Sequence, residues 1–276
     1  MHGEPPKAKP PKDDPLAEMS FLDHLEELRW SILKGMIGIG VGIILAIVFQ
    51  NFIVDTLLLG PARGDFFTYR WLGIDAVDLT LQSRRLPGQF FAFWGTLIVI
   101  GVIIGAPLFI YQLWKFIAPA FEKSEKKKTF AGSFFITLFF MLGVSFGYLI
   151  LVPTALQFFT QFNLSDMVRN DFDINAYFSA LAAWVLSCGI VFELPVISYF
   201  LSRIGFLTPE MLKTYRRHAI VVCFVIAAFL TPPDPVSQML LAIPLLLLYQ
   251  FGIFVSRIGM RRHEKEIWGD EDVADI

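Results

Sequence analysis

This sequence of 276 residues is poor in the charges and motifs on which most enzymes and nucleic-acid-binding proteins depend. Charged residues make up only 17% of it and the net charge is -2, so we expect no basic surface that attracts nucleic acid. Its two cysteines, Cys188 and Cys223, and its four scattered histidines lack the spacing of a metal site or a disulfide framework. No nucleotide loop, HExxH, CxxC or Ser/His/Asp set is found. We therefore expect no catalytic residue, no metal and no cofactor.

Apolar residues, by contrast, are abundant and clustered. They account for 55% of the chain, which contains 29 phenylalanines. Six apolar runs occupy residues 32–54, 89–114, 130–152, 174–201, 219–230 and 236–255. Runs of about 20 apolar residues can cross a hydrocarbon layer of ~30 Å as helices, and they lack the alternation of barrel strands. The pattern predicts an all-α polytopic membrane protein.

The two ends of the chain differ from this apolar region. Residues 1–15 are rich in proline and lysine and are expected to be a disordered tail, without the apolar core of a cleavable signal peptide. Residues 259–276 are expected to be an acidic tail. The transmembrane domain is therefore predicted to comprise residues 16–258.

The fifth run is too short for an ordinary crossing. Its 12 continuous apolar residues would extend about 18 Å as a helix. Runs five and six could form a re-entrant hairpin, or both could cross a locally thinned bilayer with Arg216 and Arg217 reaching the surface. We favour crossing, because the sixth run alone has 20 residues.

The distribution of lysine and arginine predicts the orientation. The connections that follow runs two and four are the basic ones: Lys115, Lys123, Lys126, Lys127 and Lys128 in the first, and Arg203, Lys213, Arg216 and Arg217 in the second. In the insert after run three, Arg169 is the one basic residue. The long insert at residues 55–88 contains four arginines, but also four aspartates. The positive-inside rule then predicts six crossings with both termini in the cytoplasm.

Among the polar residues within the apolar runs, Glu193 and Gln238 are the two candidates for a functional site. Glu193 would cost about 2.5–3.5 kcal/mol if it were charged within the bilayer. It could be a protonated or paired residue that stabilises helix packing, or a polar site that meets a substrate segment, an ion or a partner helix. Gln238 could likewise make a plain interhelical hydrogen bond or contact a helix of another protein.

The segment before the first run is acidic and amphipathic. Leucines at three-residue spacing predict a short helix over residues 21–29, whose polar side carries three carboxylates. Glu26 can pair with Arg29, whereas Glu27 has no helical partner. This side could be a solvated acidic face or a site for a cationic partner. If Glu125 lay beside Glu27, the two could bind two guanidinium groups.

Four motifs occur in the order seen in one family. They are His24-Leu25-Glu26-Glu27-Leu28-Arg29, Phe116-Ile117-Ala118-Pro119-Ala120, Phe192-Glu193-Leu194-Pro195 and Leu230-Thr231-Pro232-Pro233-Asp234. Over about residues 20–258 the chain thereby resembles TatC, the multispanning subunit of the twin-arginine protein translocase. The resemblance implies a concave, glove-shaped bundle of six transmembrane helices, the fifth and sixth short, in the bacterial inner membrane.

The resemblance also implies a function. Such a protein binds signal peptides that carry an arginine pair, and forms a complex, as a homo-oligomer, with single-span subunits of the TatA and TatB type to export folded proteins. By motif position the carboxylates that contact the arginines are Glu27 and Glu125. Further positions at which the family is functionally sensitive are Arg29, Pro61 and Phe116, assigned to signal-peptide binding, and Asp234, assigned with Glu193 and Gln238 to intramembrane or partner contacts. Glu26 departs from the family pattern.

Two other classes of function were considered. An ion- or proton-coupled transporter of small molecules could use Glu193 as its coupling site, but no inverted repeat or matching pair of broken helices is apparent. An intramembrane enzyme would need a nucleophile and a base, and the sequence shows no such set.

Overall fold

The computed structural model describes residues 21–117, 126–165, 167, 170–231 and 235–268. The helices are α1 (Phe21–Val48), α2 (Gln50–Phe52), α3 (Phe67–Leu72), α4 (Gly88–Ile117), α5 (Lys126–Phe146), α6 (Val152–Gln161), α7 (Ile174–Val191), α8 (Leu194–Arg203), α9 (Pro209–Thr214), α10 (Arg216–Leu230) and α11 (Pro235–Trp268). π-helical turns occupy Ile53–Leu58 and Gly147–Leu151, and the two strands are β1 (Leu81–Gln82) and β2 (Phe172–Asp173).

Within these ranges, five helical segments are long and apolar enough to cross a membrane. They are Leu25–Val48, Gly88–Ile117, Gly132–Gln161, Ile174–Arg203 and Pro235–Arg262. In addition to these five, α10 corresponds to the short fifth apolar run. It has 15 residues and extends about 22 Å. It begins just after α9 and ends at Leu230, five residues before α11 begins. Because α11 is long enough to cross by itself, the arrangement favours crossing over a re-entrant hairpin.

Glycines let α1 and α4 pack closely in antiparallel directions. A Cβ on Gly42 would overlap the carbonyl oxygen of Gly101 and lie 2.6 Å from the backbone nitrogen of Gly105, so only glycine fits. Gly35, two turns earlier on α1, lies against the ring of Phe109. We call the end of the bundle where α1 begins and α4 and α8 end the basal end, and the opposite end the cap end.

The other long helices also approach one another closely at small residues. On α5, Gly143 lies against the carbonyl of Cys188 on α7. α8 and α11 run parallel, and the hydroxyls of Ser202 and Ser256 share a buried hydrogen bond of 2.5 Å. These contacts fix the relative depth of the helices in the membrane.

Tyrosine hydroxyls hold the insert at residues 55–88 against the helices below it and fix its internal fold. Tyr148 and Tyr177 donate to the carbonyls of Leu57 and Leu58, at 2.9 and 2.8 Å. Tyr69 donates to the carbonyl of Pro61 at 2.5 Å. The first two bonds satisfy carbonyls at the end of a π-helical turn, where the regular helical pattern stops. The cap end is therefore a packed structure rather than a loose loop.

The two inserts also pair with each other. β1 and β2 are parallel, with Gln82 opposite Asp173. The Asp173 carboxylate caps α7 by accepting from the backbone N–H groups of Asn175 and Ala176, at 2.9 and 3.3 Å. It also accepts from the backbone N–H of Arg84 at 3.3 Å. Partial desolvation acts to raise the pKa of Asp173, but the three backbone donors outweigh it and lower that pKa below its ordinary value.

This lowered pKa predicts acid sensitivity at the cap end. The folded state favours the charged carboxylate, so its stabilising contribution is complete above the ordinary aspartate pKa of about 3.9 and disappears as the pH falls through the lowered value. We expect Asp173→Ala to lower the melting temperature at pH 7, and the difference from wild type to narrow below about pH 4. Asp65→Asn, at an exposed carboxylate of the insert at residues 55–88, is the control. A difference that stays constant down to about pH 2.5 would refute the linkage.

The structure departs from the sequence-based expectations in three places. The acidic segment before run one is not a separate helix but the first turns of α1. Residues 153–161, predicted to belong to a polar insert, are helical as α6. The wider π-helical turn before Pro153 accommodates the proline, and the hydroxyl of Thr154 bonds the carbonyls of Ile150 and Leu151.

The third departure concerns the last helix, which is longer than expected. α11 continues to Trp268, so the domain boundary placed at residue 258 falls inside a helix. Residues 1–20, which include the whole of the first predicted tail, and residues 269–276, the last eight residues of the second, lie outside the described residues.

Candidate functional site

Three of the predicted signal-peptide residues lie at the basal end. Glu27 and Arg29 are exposed on the first turns of α1, and Phe116 is half-buried at the end of α4. The antiparallel register that pairs Gly35 with Phe109 continues to the basal end, where it places Glu27 opposite Ile117, the last residue of α4. An exposed carboxylate thus lies at the start of the connection between α4 and α5.

Glu125 belongs to that connection and lies outside the described residues. The residue after it, Lys126, begins α5. Because α5 runs antiparallel to α7 and α7 leads to the basal end through α8, α5 also begins at the basal end. The pairing of Glu125 with Glu27 stays a prediction.

Pro61 is not part of this group. It is fully buried, its carbonyl accepts from Tyr69, and it follows the cap end of α1. Glu27 and Val48 are 21 residues apart on α1, or about 30 Å. A side chain that is buried at the cap end cannot contact an arginine bound beside Glu27. The structure thus separates Pro61 from Glu27, Arg29 and Phe116, the three other predicted signal-peptide residues that it describes.

Glu193 lies at a break in the fourth span. α7 ends at Val191 and α8 begins at Leu194, with Pro195 in its first turn. Both carboxyl oxygens of Glu193 are buried, and in the described part of the chain neither makes a well-formed hydrogen bond, although the backbone of Phe140 on α5 is nearby. A buried carboxyl group with so little compensation is costly when charged. The geometry fits a neutral residue or one that awaits a partner.

Gln238 makes an interhelical hydrogen bond, which is one of the two roles that the sequence allowed for this residue. Its Nε2 donates to the carbonyl of Phe224 on α10 at 3.3 Å, and the side chain is half-buried. Asp234 lies outside the described residues. The predicted intramembrane positions therefore do not converge on one site in the described part of the chain.

Next to Gln238 is a groove that the sequence did not indicate. It has a volume of about 580 Å³ and is lined by Phe146, Pro235, Val236, Met239, Leu240, Ile243 and Pro244. All of its lining residues are apolar, and Val236, Met239 and Ile243 are 68%, 51% and 53% exposed. We call it the α5–α11 groove. In the sequence these residues are indistinguishable from lipid-facing ones, because only the packing of α5 against α11 creates the concave shape.

Comparisons with known proteins agree on one family. The sequence profile of the Sec-independent protein translocase protein (TatC) matches residues 23–244. The chain is 36% identical over 253 residues to the TatC protein of Blattabacterium sp. subsp. Periplaneta americana, a match that covers 87% of this chain and 95% of that one. It is 32% identical over 257 residues to TatCy of Bacillus subtilis, with 93% and 96% covered.

A solved structure has the same fold. It is a crystal structure of the twin arginine translocase receptor TatC in DDM, 33% identical, with a TM-score of 0.68. The match covers 84% of this chain and 99% of that one. Together with the apolar helices, this confirms the predicted fold class, a polytopic α-helical bundle.

Proposed function

Because the chain belongs to the TatC family of Sec-independent protein translocase proteins, we propose that it is the receptor for twin-arginine signal peptides and the assembly core of the translocase. The observation that carries this proposal is the position of Glu27. An exposed carboxylate lies at the basal end, opposite the last residue of α4 and without a basic residue one turn further along its own helix.

The proposed mechanism begins with electrostatic capture. Glu27 and Glu125 each accept a guanidinium group of the arginine pair, and the planar fork of arginine favours bidentate bonds that lysine cannot make. Arg29 and Phe116 complete the surroundings of the site. Pro61 acts at a distance, by maintaining the fold of the cap end. Binding of a twin-arginine peptide to the purified protein is the direct test.

After capture, the apolar part of the signal peptide would enter the membrane beside the bundle. Glu193 is the one acidic residue with buried carboxyl oxygens in the described part of the spans, and its neutral form would be the stable one in an apolar environment. We propose that Glu193 meets the inserted segment or a partner helix, and that a change in its protonation accompanies transport driven by the proton-motive force.

Partner subunits of the TatA and TatB type would dock in the α5–α11 groove. An apolar, concave surface between two helices suits a single transmembrane helix, because the helix would make closer van der Waals contacts there than lipid tails can. Gln238, at the α10 side of α11, and Asp234, before α11, would border this contact. Additional copies of the chain would complete the complex.

Met239→Trp is expected to fill the groove and reduce crosslinking to a TatA- or TatB-type helix about tenfold, while signal-peptide binding stays unchanged, because the groove is distant from Glu27. The readout is crosslinking from a photoreactive residue in the partner helix. Leu247→Trp adds the same ring to α11 at a residue that is 66% exposed and does not line the groove. Equal crosslinking in the two variants would refute docking at this surface.

The distribution of charge supports a cytoplasmic basal end in a bacterial cell, by the positive-inside rule. Lys115, Arg203 and Arg257 are at the basal ends of α4, α8 and α11. Both termini would then be cytoplasmic and the cap end would face outward. No observation favours the transporter alternative.

A further inference from the structure

The basal end of the bundle is not level. α8 ends beside Ser256 of α11, where the hydroxyl of Ser202 is bonded. The carbonyl of Leu212 on α9 accepts instead from the hydroxyl of Tyr249, at 2.5 Å. Tyr249 and Ser256 are seven residues apart on α11, which is about 10 Å along the helix axis. α9 and the start of α10 therefore lie about 10 Å closer to the centre of the membrane than the end of α8.

The length of α10 leads to the same conclusion independently. Its 15 residues extend about 22 Å, roughly 8 Å less than the hydrocarbon layer. α10 ends at Leu230, just before α11 begins at the cap end, so the shortfall falls at its basal end. We call residues 206–218, which form this recessed part of the basal end, the basal step.

The basal step carries a concentrated positive charge. Lys213, Arg216 and Arg217 are all exposed, and so is His218 on the next position of α10. Glu210, also exposed, is the one carboxylate in this segment. The two arginines are the first two residues of α10. Three permanent cations are therefore exposed on the recessed part of the basal end, at a depth to which lipid phosphates would have to descend to meet them.

Apolar side chains accompany these cations. Phe206, Met211 and Tyr215 are 73%, 44% and 56% exposed. Exposed aromatic side chains beside lysine and arginine are typical of segments that lie at the boundary between headgroups and acyl chains. A soluble anion would satisfy the cations but would leave these apolar surfaces in water.

We propose that the basal step is a binding site for an anionic phospholipid, whose phosphate is held by Lys213, Arg216 and Arg217. The acyl chains cover Phe206, Met211 and Tyr215. The site draws the headgroup into the recess and thereby closes the gap that the short α10 leaves in the bilayer. The depth of α9 and the exposure of these side chains define the site, which is independent of signal-peptide recognition.

The test is lipid retention by the purified full-length protein, measured by native mass spectrometry after equilibration with equal amounts of phosphatidylglycerol and phosphatidylcholine. Wild type is expected to retain phosphatidylglycerol preferentially. Arg216→Gln/Arg217→Gln is expected to lose about tenfold in phosphatidylglycerol affinity, since each cation near an anionic surface contributes several-fold. Arg257→Gln/Arg261→Gln removes two exposed cations at the basal end outside the step, and is expected to change the affinity less than about twofold.

Two further measurements complete the test. The first distinguishes loss of charge from loss of the fold, and the second distinguishes a bound lipid from a bound soluble phosphate. Arg216→Lys/Arg217→Lys keeps the charge and is expected to retain most of the binding, whereas a variant that had lost its fold would not. Glycerol 3-phosphate at millimolar concentration is expected not to displace the lipid. Equal losses in the two glutamine variants, no preference for phosphatidylglycerol in wild type, or full displacement by glycerol 3-phosphate would each overturn the proposal.

Discussion

Glu27→Gln is expected to weaken binding of a twin-arginine signal peptide by about 10- to 100-fold. The substitution keeps the size of the side chain but removes the charge that strengthens a bidentate bond to guanidinium, a loss of roughly 1.5–3 kcal/mol. Binding of a fluorescent signal peptide to the detergent-solubilised protein measures the effect. The double variant Glu27→Gln/Glu125→Gln is expected to bind the twin-arginine peptide as weakly as the wild type binds a control peptide in which two alanines replace the arginine pair.

The matched control is Glu210→Gln, which neutralises another exposed carboxylate on the basal side, on α9. It is expected to bind the peptide like wild type. A Lys-Lys peptide should bind the wild type more weakly than an Arg-Arg peptide, because an ammonium group cannot form the planar fork. If Arg-Arg and Lys-Lys peptides bind equally, the bidentate mechanism is wrong. If Glu26→Gln has the larger effect, recognition involves the neighbouring carboxylate instead.

Gly42→Ala is expected to destabilise the bundle by about 1–3 kcal/mol and to lower the melting temperature in detergent by roughly 5 °C. An added Cβ would overlap the carbonyl oxygen of Gly101 and crowd the backbone of Gly105, at 2.6 Å from its nitrogen and 2.9 Å from its Cα. Backbone atoms of a helix cannot rotate away as a side chain can, so α1 and α4 must separate along their whole contact. Thermal unfolding, followed by the fraction that remains monodisperse, measures the change.

Gly40→Ala is the control on the same helix. A Cβ at Gly40 would meet no atom within 4 Å, and alanine has the higher helix propensity. This variant is expected to melt at or slightly above the temperature of the wild type. Equal melting temperatures for the two variants would show that α1 and α4 do not approach as closely as described. Because α1 carries Glu27, separation of these helices should also weaken signal-peptide binding.

Part of the candidate site could be predicted from the sequence. The exposed carboxylate Glu27, the buried Glu193 and the short α10 could all be predicted, since each depends on a local property: helical spacing, a charge within an apolar run, or the length of that run. Motif position alone assigned Pro61 to signal-peptide binding, although the predicted topology already puts residues 55–88 on the side of the membrane opposite Glu27; only the structure shows that Pro61 is buried there. The α5–α11 groove was also missed, since its residues differ from lipid-facing ones only in what packs beside them.

The sequence by itself determined that this chain is a polytopic α-helical membrane protein, where its spans lie and that an acidic segment precedes the first. Hydrophobic length and charge are properties of contiguous residues, and the bilayer selects on them directly. The tertiary structure alone decided which side chains are buried and which helices are adjacent at each end of the bundle. Glu27 lies opposite the end of α4, Pro61 is buried at the cap end, and α9 is recessed beside Tyr249. These relations depend on the register between helices distant in sequence, which is set by close contacts such as Gly42 with Gly101.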